Sequence, residues 1–365
     1  MPLAGEQPNQ KGASPLKINT ELVTRIATAG GAIRFDEYMA TVLYGEQGFY
    51  TSSGGRAGRR GDFITSPEVG PLFGQVLARA LDAWWEEQGA PDDFRVYDVG
   101  AGPGTLARSV LAAAPRCLRD EPGRYVAVEI SESQRALHPA EVTSRSELPD
   151  GVLCGVVIAN ELLDNMPFRL FVNDGNWREA WVSYHSESLN EILRPITGDV
   201  ADHWPGTLGA RLPWQEQASH WVQSVRTRLQ GRLVLFDYAV AKTSELTQRP
   251  WREWLRTYAA HSRGDHYLRH PGEQDITADV CLDQLIAVAG EPDGLRSQSQ
   301  FLQRWGIDDL VAEGRRIWSE QAARPGLEAM KMRSRISEAE ALLDPDGLGS
   351  FAVVEYVGSV QRSAH

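Results

Sequence analysis

The chain has 365 residues, which at roughly 150 residues per domain suggests two domains, or one enlarged by insertions. Its 49 acidic and 37 basic residues give a net charge of −12, which argues against broad binding along a phosphate backbone, since that requires a basic face. With 42% hydrophobic and 24% charged residues, the composition is that of a globular protein able to bury a core without disulfide or metal staples.

The first 17 residues are polar and Pro/Gly-rich and read as a disordered tail, neither signal peptide nor transit segment. Residues 18–90 read as an N-terminal helical segment. Asp36 stands at an N-cap position, 70–87 has helical apolar spacing, and a Gly/Arg-rich loop over 50–62 lies between them. From residue 91 the rhythm changes to short buried strands at 94–99, 125–130 and 151–159, with a helix at 105–114. This alternation predicts a parallel α/β sheet. An insertion over about 168–196 reads as two or three antiparallel strands turning near Asn173 and Glu187. Helix 214–229, strand 233–238 and helix 280–288 return to α/β character around a second insertion at about 240–280. Helical sequence over 310–343, broken at Pro325-Gly326, precedes a closing strand at 351–357.

Cys117, Cys154 and Cys281 are widely separated with no CxxC, as expected in a reducing compartment. The longest strongly apolar run, 151–160, is half of what a membrane span needs. These features predict a cytoplasmic protein without membrane insertion and without nucleic acid as partner. His266 and His270 stand four apart beside Asp265, but no third ligand is obvious and no metal is expected. Nothing in the pattern specifies an oligomeric state.

Four motifs point to chemistry. In Asp98-Val99-Gly100-Ala101-Gly102-Pro103-Gly104-Thr105 a strand runs into three alternate glycines and a helix begins at once. The backbone there turns sharply and leaves room for a ligand. The acid before the loop would repel a pyrophosphate, and the G-x-G-x-G spacing with Pro103 favours S-adenosylmethionine over NAD. Glu129, at the end of the next strand, is placed to bind ribose hydroxyls. Asn160-Glu161-Leu162-Leu163-Asp164 follows a strand without charge. On a helical turn Glu161 and Asp164 would share a face and grip a cation; equally, they would be acids favoured at a helix N-terminus. In Thr65-Ser66-Pro67-Glu68, Ser66 reads as a helix cap with Pro67 and Glu68 in the first turn, and a free helix N-terminus also binds carboxylates.

These blocks, in this order, resemble the MidA family of S-adenosylmethionine-dependent methyltransferases. That family includes the mitochondrial arginine methyltransferase that helps assemble respiratory complex I. The resemblance runs over roughly residues 33 to 357. It rests on Gly48-Phe49-Tyr50, Gly61-Asp62-Phe63-Ile64-Thr65-Ser66-Pro67-Glu68, the glycine loop, Asn160 to Asp164 with Pro167, Asp237-Tyr238, Leu255-Arg256 with Tyr258 and His261, and Asp275 to Val280. It implies a Rossmann-like class I methyltransferase core carrying the N-terminal helical segment and an inserted helical and β-hairpin cap. It also implies cofactor contacts from Thr65, Ser66, Pro67, Glu68, the loop from Asp98 to Thr105, Glu129 and Asn160. The acceptor it implies is a protein or peptide arginine, symmetrically dimethylated, in a complex I subunit.

Glu161 and Asp164 are the candidate catalytic pair, holding a guanidinium and accepting its proton. Ala239 stands where the family tends to have glycine, and Cys281-Leu282 where Asp-Phe is usual. Glu147 is the candidate for an adenine contact. A small-molecule methyltransferase, a cofactor-binding assembly factor without turnover, and an NAD-dependent oxidoreductase stand as the alternatives.

Overall fold

The structure is a computed structural model describing residues 19–52, 65–119, 121–197, 204–259, 262–324 and 326–359. The N-terminal tail, Gly61 to Ile64, His261 and Pro325 lie outside the described residues.

The centre is a seven-stranded sheet of β1 (Arg95–Val99), β2 (Tyr125–Val128), β3 (Thr143–Arg145), β4 (Leu153–Asn160), β5 (Leu229–Asp237), β6 (Gly294–Ser297) and β7 (Ala352–Ser359). Their spatial order is β3-β2-β1-β4-β5-β7-β6. β1 to β5 run parallel, and β7 lies antiparallel between β5 and β6. β4 is apolar almost throughout because both faces of the sheet are covered, as parallel sheets require. Val96, Val156, Ile158 and Phe236 face a layer containing Leu72, Phe73, Leu77 and Trp84 of α3 (Pro71–Glu87) and Leu106 and Val110 of α4 (Thr105–Ala112). The alternate residues Tyr97, Val99, Val157 and Leu235 face Ala218, Val222 and Val225 of α5 (Glu216–Arg228) and Leu285. The helix after β1 and the helix before β5 therefore cover opposite faces. A crevice opens between them at the C-terminal ends of β1 and β4.

A third apolar cluster joins α1 (Thr20–Thr28) and α2 (Phe35–Tyr44) to an antiparallel side sheet. Strand Trp177–His185 carries Ser188–Pro195 along one edge. Arg169–Asn173 and Ala32–Arg34 share the other. The hairpins expected over 168–196 are present, with Ser186 and Glu187 both at positive φ in the second turn. Strand Arg211–Trp214 extends that sheet.

Three expectations need correction. Residues 18–90 are not one helical unit: Ala32–Arg34 is a strand of the side sheet, and α3 belongs to the core. Asp36 is not a cap, because the helix begins at Phe35; instead, Asp36 pairs in the first turn with Arg34 at 2.7 Å. Residues 161–166 form turns rather than a helical turn, so the shared-face argument for Glu161 and Asp164 does not apply. The second insertion folds into a three-stranded sheet, Ser262–Arg263, Leu255–Ala259 and Asp275–Ala278. It docks on the 161–166 turn through the Ala278 N–H, which donates to the Asp164 carbonyl at 3.0 Å.

Candidate active site

β1 delivers Asp98 and then the glycine loop. Gly100, Gly102 and Gly104 have φ of 74°, 53° and 79°, left-handed values that glycine adopts without a side-chain penalty. Asp98 is buried at 2% exposure and accepts the Tyr125 hydroxyl proton at 2.9 Å. Burial pushes its carboxyl up to about 7, against the lowering effect of the Tyr125 bond. Glu129 follows β2 directly. One of its oxygens accepts the Gly102 N–H at 2.9 Å and the other the Ser131 N–H at 2.8 Å, so this acid fixes the loop while its remaining lone pairs stay available.

Beside the loop lies a cavity of about 450 Å³. Thr65, Pro67, Glu68, Asp98, Gly100, Gly102, Thr105, Glu129, Asn160 and Glu161 all line it; Ser66, Gly104 and Asp164 do not. The buried Ser66 hydroxyl turns away to donate to Gln298 Oε1 at 2.9 Å. The N-cap of the short helix Ser66–Val69 is Thr65, whose N–H donates to Glu68 at 3.5 Å. Gly104 instead lets His138 and Pro139 pack behind the loop, where a Cβ would come within 3.2 and 3.1 Å of them. His138 Nε2 also bonds the Gly102 carbonyl at 2.9 Å.

Sequence reasoning missed other walls. Tyr44 and Tyr50 stack at 5.5 Å, their hydroxyls donating to the Asn165 carbonyl at 3.1 Å and to Asp275 at 2.9 Å. Tyr50 stands in the Gly48-Phe49-Tyr50 block, the one signal that could have found it. Gln134, Met166 and Trp221 also line the cavity, and Glu147, the adenine candidate, reaches it beside Leu148. Ala239 and Cys281 are not at the cavity. They lie in one short parallel ribbon, Ala239 paired with Val280 and Cys281 with Val240.

One end of the cavity is acidic. Glu161 sits at φ 51° and its N–H donates to the Phe236 carbonyl at 2.8 Å, which seats it between β4 and β5. Burial, reinforced by Asp164, pushes its carboxyl up to about 8. Asp164 lies one layer back, at 4% exposure, taking the Thr277 hydroxyl proton at 2.5 Å. Burial raises it to about 6, held down by Thr277 and by the Arg256 guanidinium. Asp275 is raised to about 7 by burial, and Asp237 well above the usual carboxylate range for the same reason. Asp237 accepts the Leu163 and Tyr238 N–H groups, at 2.9 and 3.0 Å, and so fixes the turn. Arg256 is held by Asp279 at 2.7 Å and lies over the Tyr238 ring at 4.7 Å. A cation placed against this cluster would find carboxyls ready to ionise toward it.

Two buried oxygens on the lining, Asn160 Oδ1 and Gln134 Oε1, have no hydrogen-bond partner among the described residues. A buried acceptor left bare costs about 1–3 kcal/mol. The site therefore fits a ligand that brings amino and hydroxyl protons, and the acids on its wall suit a cationic one. S-adenosylmethionine has all three features.

Comparison with known proteins agrees with this donor set. Residues 76–300 match a family described as S-adenosyl-L-methionine-dependent methyltransferase. The human protein arginine methyltransferase NDUFAF7, mitochondrial, is 32% identical over 84% of this chain and 76% of its own. The Drosophila melanogaster homologue is 28% identical over 68% of this chain, and the match spans 65% of the fly protein's length. A Burkholderia thailandensis structure, described as a methyl transferase bound to S-adenosyl-homocysteine, superposes with a TM-score of 0.80 at 28% identity. It covers 94% of this chain and 92% of that one. The curated relatives carry mitochondrial names, which overturns the cytoplasmic expectation: the absence of a recognised transit segment was too weak a ground for it. The chain belongs to the family of S-adenosylmethionine-dependent methyltransferases, with a Rossmann-like core and S-adenosylmethionine as its cofactor.

Proposed function

We propose that the chain methylates the guanidinium of a protein arginine, forming symmetric dimethylarginine, and that its acceptor is a subunit of respiratory complex I. The observation that carries this reading is the buried carboxyl cluster at one end of the cofactor cavity, with Glu161 on its wall. The names of the human and fly relatives agree with it, and the complex I subunit follows from the family resemblance.

When bound, S-adenosylmethionine supplies an electrophilic methyl group on a sulfonium. Asn160 Oδ1 and Asp98 would receive its amino group, Glu129 and Gln134 its ribose hydroxyls, and Glu147 its adenine. These contacts fix the donor for an in-line displacement, in which positioning supplies much of the acceleration. Glu161 would hold the incoming guanidinium and localise its charge on one nitrogen. As the new N–C bond forms and the methyl–sulfur bond breaks, leaving S-adenosylhomocysteine, the carboxylate would take the proton which that nitrogen loses. Asp164 acts through Glu161: its charge sets how readily the outer carboxyl ionises.

The test is labelled methyl transfer into a lysate of a strain lacking the protein, followed by mass spectrometry. Label is expected in protein, at arginine, as symmetric dimethylarginine. Label confined to small molecules would replace this reading with a metabolite methyltransferase, and no incorporation beside intact cofactor binding would favour an assembly factor.

A further inference from the structure

The inserted sheet carries a second depression that the methyl-transfer site does not use. It measures about 490 Å³ and is lined by Arg252, Arg256, Arg263 and Arg269, with His266 between them and Asp265 the acid on its wall. In a chain of net charge −12, this is a local reversal of sign. Arg252, Arg263 and Arg269 are exposed and have no carboxylate in ion-pair range among the described residues. Arg252 lies over the Trp251 ring at 4.3 Å, which holds its charge at the wall. The positive field is felt locally: Arg211, Arg252 and Arg269 add to burial in pushing the His266 imidazole below its usual value, although Glu191 opposes them.

A neighbouring hollow leads from this depression toward the segment that carries Tyr50 of the cofactor cavity. This hollow, of about 630 Å³, shares Arg263, Gly264 and Asp265 with the depression and reaches Phe49 and Ser52, which flank Tyr50. Arg256 joins the two sites through the sheet: it lines the basic depression, and its strand pairs with Thr277, the donor to Asp164. A chain lying across this surface would meet carboxyls at one end and guanidinium groups at the other. We propose that the basic depression is a docking subsite for an acidic stretch of the protein substrate, flanking the arginine that enters the acidic end of the cofactor cavity. The proposal rests on the protein-arginine reading above. A nucleic acid fits poorly, since three free arginines in a strongly acidic molecule are too few to follow a phosphate backbone. Two adjoining hollows of this size also exceed what a single small anion fills.

The experiment uses the full chain and the variant Arg252→Gln/Arg263→Gln/Arg269→Gln, with S-adenosylhomocysteine binding as the check that the fold is kept. Binding of a fluorescent ten-residue glutamate peptide is measured at low and high salt. The wild type is expected to bind in a salt-sensitive way and the variant about tenfold more weakly, the combined effect of three exposed pairs that are each modest. Equal affinity in both proteins, or complete displacement by millimolar inorganic phosphate, overturns the proposal. Kinetics give the second arm. For an arginine peptide with flanking glutamates, KM is expected to rise in the variant with kcat unchanged, while a peptide with flanking alanines shows no change. An equal KM change for both peptides overturns the proposal. If no arginine peptide is methylated but arginine-dependent glutamate binding persists, the subsite stands and the arginine reading fails.

Discussion

Two carboxyls three positions apart in the chain have different surroundings. Glu161 is on the cavity wall with its carboxyl raised to about 8, and Asp164 is behind it, bonded to Thr277 and facing Arg256. A base must be ionised to take a proton, and a carboxyl raised to about 8 is mostly neutral at pH 7. Methyl transfer should therefore accelerate as pH rises, with kcat/KM, which reports the free enzyme, reaching half its plateau near pH 8. Glu161→Gln should abolish that limb and lower kcat by about 10²- to 10⁴-fold. Asp164→Asn should keep the limb but shift it to lower pH, since a like charge that raises Glu161 has been removed. A wild-type profile flat from pH 6 to 9 would take Glu161 out of the proton path. The position of Asn160 and Glu161 on the cavity wall was legible because polar residues at the mouth of an uncharged strand are conspicuous. Gln134 was not, since nothing local distinguishes a glutamine with an unpartnered carbonyl from one at a surface.

Among elements, the glycine loop and strands β1, β2, β4 and β5 were legible because buried parallel strands read as near-continuous apolar runs. The strands Ala32–Arg34 and β6 were not. Each is three or four residues long and owes its conformation to a partner distant in sequence: Ala32 lies opposite Ser183, and Gly294 opposite Glu355. Spacing misled at 161–166, where the i, i+3 acids suggested a helix. Asp237 instead draws the Leu163 and Asp164 N–H groups into a turn, at 2.9 and 3.4 Å. The loop's dependence on its glycines is testable at Gly102, which has φ 53° and whose N–H is held by Glu129. Gly102→Ala places a Cβ 3.2 Å from Gln134 Oε1 in a left-handed backbone that costs about 1–2 kcal/mol for alanine. Calorimetry should show a lower melting temperature and about tenfold weaker S-adenosylhomocysteine binding. Unchanged affinity would mean that the loop backbone does not contact the cofactor.

At the scale of the whole molecule, the buried acids in and behind the cavity wall oppose its stability. Asp98 and Asp275 are raised to about 7, Asp164 to about 6 and Glu161 to about 8, and Asp237 is also held well above the usual carboxylate range, all chiefly by burial. Unfolded carboxyls titrate near 4, so between pH 4 and 8 the folded chain binds more protons than the unfolded one. Stability then falls as pH rises through that window; the contribution is complete below the unfolded values and lost above the folded ones. The ligand-free protein should melt at progressively lower temperature from pH 5 to pH 8. A bound cation relieves this, because its charge favours the ionised carboxyls and reciprocal linkage makes their ionisation favour the cation. S-adenosylmethionine carries a sulfonium charge that S-adenosylhomocysteine lacks, so its stabilising effect relative to the product should grow from pH 5.5 to pH 8. A thermal-shift series with each ligand at matched saturation measures both trends. If the two ligands keep a constant difference across that range, the acidic cluster does not sense the sulfonium. The guanidinium would then be the only cation for which this end of the cavity is built.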